Sequence, residues 1–217
     1  RCAYSNIRKI TYFLLSCSIA EVLFFILAIA CGAETPLLAI QLLWLNVITD
    51  GFQDISLSLE KPEANIMFEK PGPTNESLFS KSMVCQCAVM GATIGLVVFA
   101  SWMMLVYTFD FDVVVARSLV MALMVFLQNF HALNCRSEKQ SITKISIKSN
   151  WFFFAAVFGS IGLQILFMEV PALSRLLDLT TVPYGALCLL LAVSLIVFVV
   201  GELYKLVVRY RERKLAK

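Results

Sequence analysis

The sequence predicts an all-α membrane protein, built as a six-helix transmembrane bundle with both termini in the cytoplasm. The 217 residues are 59% hydrophobic and 15% charged, whereas soluble domains average about 45–50% apolar and about 25% charged residues. Six apolar stretches reach the roughly 20 residues that a membrane helix needs. The basic residues are concentrated in the segments that lie on one side of the membrane, as the positive-inside rule describes.

The helices are placed by the apolar sequence between polar breaks. We expect the first helix at residues 10–31 and the second at residues 37–59. A polar loop with three prolines follows at residues 60–81 and cannot span a membrane. In the third helix, Gly91 and Gly95 would allow close packing against a neighbour. The last four helices are expected at residues 82–107, 113–134, 151–168 and 184–208.

The distribution of positive charge sets the orientation of these helices. Sixteen of the eighteen lysines and arginines lie in four segments on one side of the membrane, namely residues 1–9, 60–81, 135–150 and 205–217. The other side carries only Arg117 and Arg175, which places both termini in the cytoplasm. The basic C-terminal segment is an ordinary cytoplasmic flank, with contact to anionic lipid as the alternative. We expect membrane lipid as a partner and no nucleic acid.

Two acidic residues stand midway along the first two helices, where a carboxylate is costly and usually functional. Glu21 and Asp50 should face each other at one level, because the loop between their helices is short. Asn46, Thr49 and Asp50 lie at i, i+3 and i+4, on one face of a helix. Gly51 weakens the helix there, and oxygen donors beside a broken membrane helix suit a hard cation. The alternative is that these groups only join helices, but two acids without a basic partner favour a cation site.

Further polar residues extend this candidate site. Asp54 is a third ligand, a proton carrier or a partner for a polar group nearer the cytoplasm. Gln128 could offer a neutral carbonyl oxygen, whereas the single histidine, His131, is better explained as a packing residue. Cys85 and Cys87 do not face each other on a helix, so a soft-metal site is not favoured. No glycine-rich phosphate loop or activated nucleophile occurs, which excludes nucleotide chemistry within this sequence.

Several motifs resemble one protein family. Residues 41–51, QLLWLNVITDG, resemble the sixth transmembrane helix of P-type cation-transporting ATPases, closest to the calcium pumps. Residues 60–67, EKPEANIM, look like the sequence that follows that helix. Residues 4–9, YSNIRK, resemble the start of the fifth helix. Residues 131–134, HALN, and 137–141, SEKQS, resemble the end of the eighth helix and the loop beyond. The chain would then comprise helices five to ten.

The resemblance implies ligand roles for four residues. The carboxylate of the family's fifth helix matches Glu21, and the ligands of its sixth helix match Asn46, Thr49 and Asp50. In calcium pumps of the sarcoplasmic-reticulum type, the sixth-helix aspartate serves both calcium sites.

Three positions depart from those pumps. Ser18 stands where they have an asparagine, and Gln128 stands where they have a glutamate, which removes a negative charge. Asp54 is an additional acid. The first two departures fall at the site shared by helices five, six and eight, so the resemblance leaves open whether one calcium site is lost or the ion differs.

The resemblance also implies what lies outside this chain. We expect residues 1–217 to form a single transmembrane domain of a longer polypeptide, since the chain begins at Arg1 rather than methionine. The first four helices and the cytoplasmic ATPase domains of the parent would be its partners. Ca²⁺ is the expected cargo, while ATP and Mg²⁺ would act only in the full-length parent. A stand-alone cation channel or secondary carrier, or a structural or regulatory membrane module, remains the alternative.

Overall fold

A computed structural model describes residues 2–61, 80–137 and 150–215 of the chain. These residues form helices joined by turns, with no strand among them, which confirms the all-α class. The α-helices are α1 (Cys2–Ala30), α2 (Ala39–Leu45), α3 (Phe52–Ser58), α4 (Lys81–Met103), α5 (Val113–Cys135), α6 (Trp151–Glu169), α7 (Pro171–Leu177) and α8 (Tyr184–Leu215). Two π-helical turns, Asn46–Gly51 and Met104–Thr108, follow α2 and α4.

Within the described ranges, five helices are long and apolar enough to cross a membrane. They are α1, α4 with its π turn, α5, α6 and α8. The second expected span corresponds to α2, the first π turn and α3, which follow one another without a gap over residues 39–58. The count of six spans and the cytoplasmic position of the termini stay predictions.

Some boundaries differ from those expected. α1 begins at Cys2 rather than near residue 10, and α8 continues to Leu215. The segment expected as a loop before residue 184 contains α7, which starts with Pro171 in the first turn. Proline is favourable there, because its missing N–H would have no partner in the helix. Most of the predicted loops at 60–81 and 135–150, and of the motifs at 60–67 and 137–141, lie outside the described residues.

The glycines of α4 let it approach α1 closely, as predicted. A Cβ atom at Gly91 would lie 2.6 Å from Cγ2 of Ile19 and 2.9 Å from the carbonyl oxygen of Ser16. One at Gly95 would lie 2.9 Å from the carbonyl oxygen of Ala20. No real Cβ atom fits at such distances, so these two glycines fix how near α4 lies to α1.

α5 forms the centre of the bundle. Its residues are buried almost without interruption from Ser118 to Asn129, and it contacts α1, α3, α4, α6 and α8. Because these helices surround α5, polar side chains on it, such as Gln128 and Asn129, are held at the middle of the protein.

Candidate functional site

Three carboxyl groups from α1 and the second helical segment lie near one another inside the bundle. Glu21 lies on α1, Asp50 in the first π turn and Asp54 on α3. Asp50 is within electrostatic range of both other acids, and the fully buried thiol of Cys17 is within range of all three. All three acids are half-buried. The structure thus brings together the two acids expected at one level and adds Asp54 to them.

Gln128 joins this group from the central helix. Its side chain is 0% exposed, and its Nε2 donates a hydrogen bond to Oε1 of Glu21 at 3.2 Å. The carboxamide oxygen, Oε1, is buried and accepts no hydrogen bond within the described residues. Because Gln128 is held on all sides by α5 packing, it can fix the position of the Glu21 carboxylate.

The sequence suggested a broken helix at Gly51, but the helix continues there as a wider π turn. Asn46–Gly51 form a π turn, and Gly51 keeps helical backbone angles of φ −58° and ψ −46°. In a π turn each hydrogen bond encloses one more residue than in an α-helix, and such turns are frequent at functional sites. Since the helix continues through the turn, Asp54 stays close to Asp50.

Two of the predicted ligands in this turn differ in their exposure. Thr49 is 0% exposed, and its hydroxyl donates to the carbonyl oxygen of Leu45 at 2.7 Å, which leaves the hydroxyl oxygen free to accept or coordinate. Asn46, however, is exposed, although a regular α-helix would place it on the same face. Ser18 on α1 is exposed as well. Both lie on the surface of the described bundle, Asn46 four residues before Asp50 and Ser18 three residues before Glu21.

The acids lack the partners that buried charges need. One carboxyl oxygen of Asp50 and one of Asp54 are buried without a hydrogen bond. Within the described ranges, no lysine, arginine or histidine pairs with Glu21, Asp50 or Asp54. No group of three or more His, Cys, Asp or Glu side chains there could hold a metal ion by itself. The arrangement is a partial set of oxygen donors whose charge a cation or protons would balance.

A hydrogen-bonded network next to the acids was not predicted. Gln53 donates from Nε2 to Oδ1 of Asn129 at 2.7 Å and accepts at Oε1 from Ser56 at 3.0 Å. Asn129 donates in turn to the hydroxyl of Ser160 at 3.0 Å. These bonds join α3, α5 and α6 with their polar atoms satisfied. The signal was present in the sequence, since Gln53 follows Asp50 by three residues and Asn129 adjoins Gln128.

His131 and the paired cysteines lie apart from the acids. The imidazole packs edge-on against Tyr12 with ring centroids 5.1 Å apart and stacks on Phe13 at 5.8 Å. This packing agrees with the structural role expected for the histidine. Cys87 is buried while Cys85 is exposed, so their thiols point to different surroundings.

A family model described as the C-terminus of cation transporting ATPases matches residues 34–207. Among curated relatives, Calcium-transporting ATPase 1 of Bacillus cereus is 31% identical over 94% of this chain and 24% of its own length. The Calcium-transporting ATPase of Bacillus subtilis is 27% identical over 89% of this chain and 22% of its own length. The human Calcium-transporting ATPase type 2C member 1 is 32% identical over 97% of this chain and 23% of its own length. The chain thus spans about a quarter of the length of these relatives.

Proposed function

Since the chain belongs to the P-type cation-transporting ATPases, as their C-terminal membrane domain, we propose that it holds the cation that an ATP-driven pump moves out of the cytoplasm. The chain is an integral, multi-pass membrane protein. ATP hydrolysis would take place in the remaining domains of the parent, with Mg²⁺. This domain would contribute the cation ligands and the helices that carry them.

The cation we propose is Ca²⁺. The relatives named above are calcium-transporting ATPases, and none of them is described as a channel or secondary carrier. Ca²⁺ takes six to eight oxygen ligands, including carboxylates, amide carbonyls and hydroxyls. These are the groups present on Glu21, Asp50, Thr49 and Gln128.

The observation that carries the proposal is the set of buried oxygens without partners at the junction of α1, the first π turn and α5. Asp50 and Gln128 each have such an oxygen, and Gln128 holds Glu21 by a hydrogen bond. A bound cation would balance the negative charge of the acids. When the ion leaves, protons would take its place, because ionised carboxylates without a partner are costly in a membrane.

The donor set of this chain is partial, and the rest of the parent would complete it. Ser18 and Asn46 are exposed on α1 and the first π turn. We propose that a helix from the first four of the parent packs on this face and turns both side chains into the site. Asp54, which follows Asp50 by four residues, would be a further ligand or a proton carrier.

The proposal is tested by Asp50→Asn in the full-length parent, which keeps the side-chain size and removes the charge. Calcium-stimulated phosphorylation by ATP should be lost, while the variant remains folded and inserted. Phosphorylation that keeps its calcium dependence in the variant would show that Asp50 is not a ligand. The cargo is identified by measuring the ATPase activity of the unmodified parent with calcium, manganese, sodium or protons.

A further inference from the structure

A second cluster of polar and charged side chains lies beyond the last turn of α3, at the far end of that helix from the acids. Its central feature is an ion pair between Glu60 and Arg136, whose side chains are 4% and 1% exposed. Nε of Arg136 donates to Oε2 of Glu60 at 3.1 Å, and Nη2 donates to Oε1 at 2.8 Å. Two parallel bonds of this kind fix the relative orientation of both groups.

Asn150 ties the same carboxylate to the start of α6. Its Nδ2 donates to Oε2 of Glu60 at 3.1 Å and to the carbonyl oxygen of Ser56 at 2.8 Å. Its Oδ1 accepts from the N–H of Phe153 at 3.1 Å and so caps α6. The guanidinium of Arg136 lies 5.2 Å from the centre of the Phe153 ring, a cation–π distance.

Asn6 ties the same helix end to α1. Its Nδ2 donates to the carbonyl oxygens of Ser58 and Glu60, both at 2.9 Å. The last carbonyls of a helix have no partner within it and are usually left to water or a capping group. Here a side chain of another helix takes them. We call Asn6, Glu60, Arg136 and Asn150 the α3 junction.

The first π turn and α3 lead from the acids to the α3 junction. Asp50 lies in the π turn directly before α3, and Asp54 lies about 6 Å along the axis from Ser58, the last residue of α3, at the α-helical rise per residue. Glu60 follows Ser58 by two residues. A helix this short moves as a unit, so a shift at the C-terminal end of α3 would also shift Asp54 and the π turn that carries Asp50.

The same two helices contact this segment at both levels. α1 provides Asn6 at the junction and Glu21 among the acids, while α5 carries Gln128 and is followed directly by Arg136. From this geometry we propose that the α3 junction, and above all the Glu60–Arg136 pair, positions Asp50 and Asp54 against Glu21 and Gln128. Glu60 and Arg136 are positioning residues rather than ligands. The role rests on the proposed function but concerns residues outside its ligand set.

The test is a set of variants in the full-length parent, in membrane vesicles. Glu60→Gln or Arg136→Met alone removes one member of a buried ion pair, which strongly destabilises a protein, whereas removing both charges is often neutral. The double variant Glu60→Gln/Arg136→Met should therefore keep the thermal stability of the parent. Its half-saturating calcium concentration should rise about fivefold or more, the low end of coupling between sites, while the maximal ATPase rate is retained. Arg136→Lys keeps the charge but not the two parallel hydrogen bonds, and it should also raise the half-saturating calcium concentration.

The matched control is the double variant Glu202→Gln/Lys205→Met, which also removes both charges of an ion pair, here at 3.4 Å within α8. It should leave the calcium dependence unchanged. A folded double variant, or a folded Arg136→Lys variant, with the half-saturating calcium concentration of the parent would overturn the positioning role. If Asp50→Asn abolishes calcium activation in the same experiment, the proposed function stands and only the positioning role fails. A parent without calcium-stimulated activity would refute both.

Discussion

Replacing Gln128 by leucine should weaken calcium binding by the full-length parent about tenfold or more. The variant loses the 3.2 Å hydrogen bond that fixes Glu21 and the buried carbonyl oxygen that has no partner of its own. A hydrogen bond to a charged group contributes about 1.5–3 kcal/mol, and about 1.4 kcal/mol corresponds to a tenfold change in affinity. Leucine is close to glutamine in size, so the packing of α5 should change little.

The structure offers a closely matched control on α6. Gln164 is 1% exposed, accepts one hydrogen bond from the indole of Trp44 at 3.0 Å and also has one buried polar atom without a partner. Gln164→Leu therefore removes a buried carboxamide with one hydrogen bond, as Gln128→Leu does, but one that is bonded to an indole rather than to an acid. It should lower thermal stability to a similar extent without affecting calcium binding.

The assay is ATP-driven calcium uptake into vesicles, with the free calcium concentration varied for the parent and both variants. Thermal stability in detergent is measured on the same preparations. A rise in the half-saturating concentration for Gln128→Leu alone supports a role at the site. Equal values for the two leucine variants would refute it, because the effect would then come from lost burial or hydrogen bonding in general.

Three further predictions concern packing, charge and the polar network. Gly95→Ala places a Cβ atom 2.9 Å from a backbone oxygen of α1 and should lower the free energy of unfolding by about 1–3 kcal/mol. The control Gly159→Ala has open space around its Cβ and should leave thermal stability unchanged or raise it. Asp54→Asn should raise the half-saturating calcium concentration less than Asp50→Asn, since Asp54 lies outside the π turn; an equal or larger rise would contradict this order. Asn129→Leu breaks the bonds to α3 and α6, so thermal unfolding should show a loss of about 1–3 kcal/mol with calcium dependence nearly unchanged.

The helical class and the three acids of the site followed from simple features of the sequence. Apolar length places the long helices, because a membrane helix must satisfy its backbone internally. The scarcity of charge within those lengths singled out Glu21, Asp50 and Asp54. The spacing of Gly91 and Gly95 predicted the close approach of α4 to α1 that is observed.

Other features could not be obtained from the sequence alone. The π turn at Asn46–Gly51 has no reliable sequence signature, and the burial of Thr49 beside an exposed Asn46 could not be predicted either. The pairing of Glu60 with Arg136 joins residues far apart in the chain, and at the sequence level both belong to loops. The bond between Gln128 and Glu21 depended on which face of α5 meets α1, and α5 is buried on nearly all sides, so its sequence does not show which face that is. Such contacts depend on tertiary packing rather than on local pattern.

The most direct test of the site is equilibrium binding of radioactive calcium to the purified full-length parent, compared with its Glu21→Gln and Asp50→Asn variants. Glu202→Gln serves as the control for the loss of one acid. We predict that Asp50→Asn abolishes high-affinity binding, that Glu21→Gln lowers its affinity or stoichiometry, and that the control binds as the parent does. Full stoichiometry at unchanged affinity in Asp50→Asn would contradict the account.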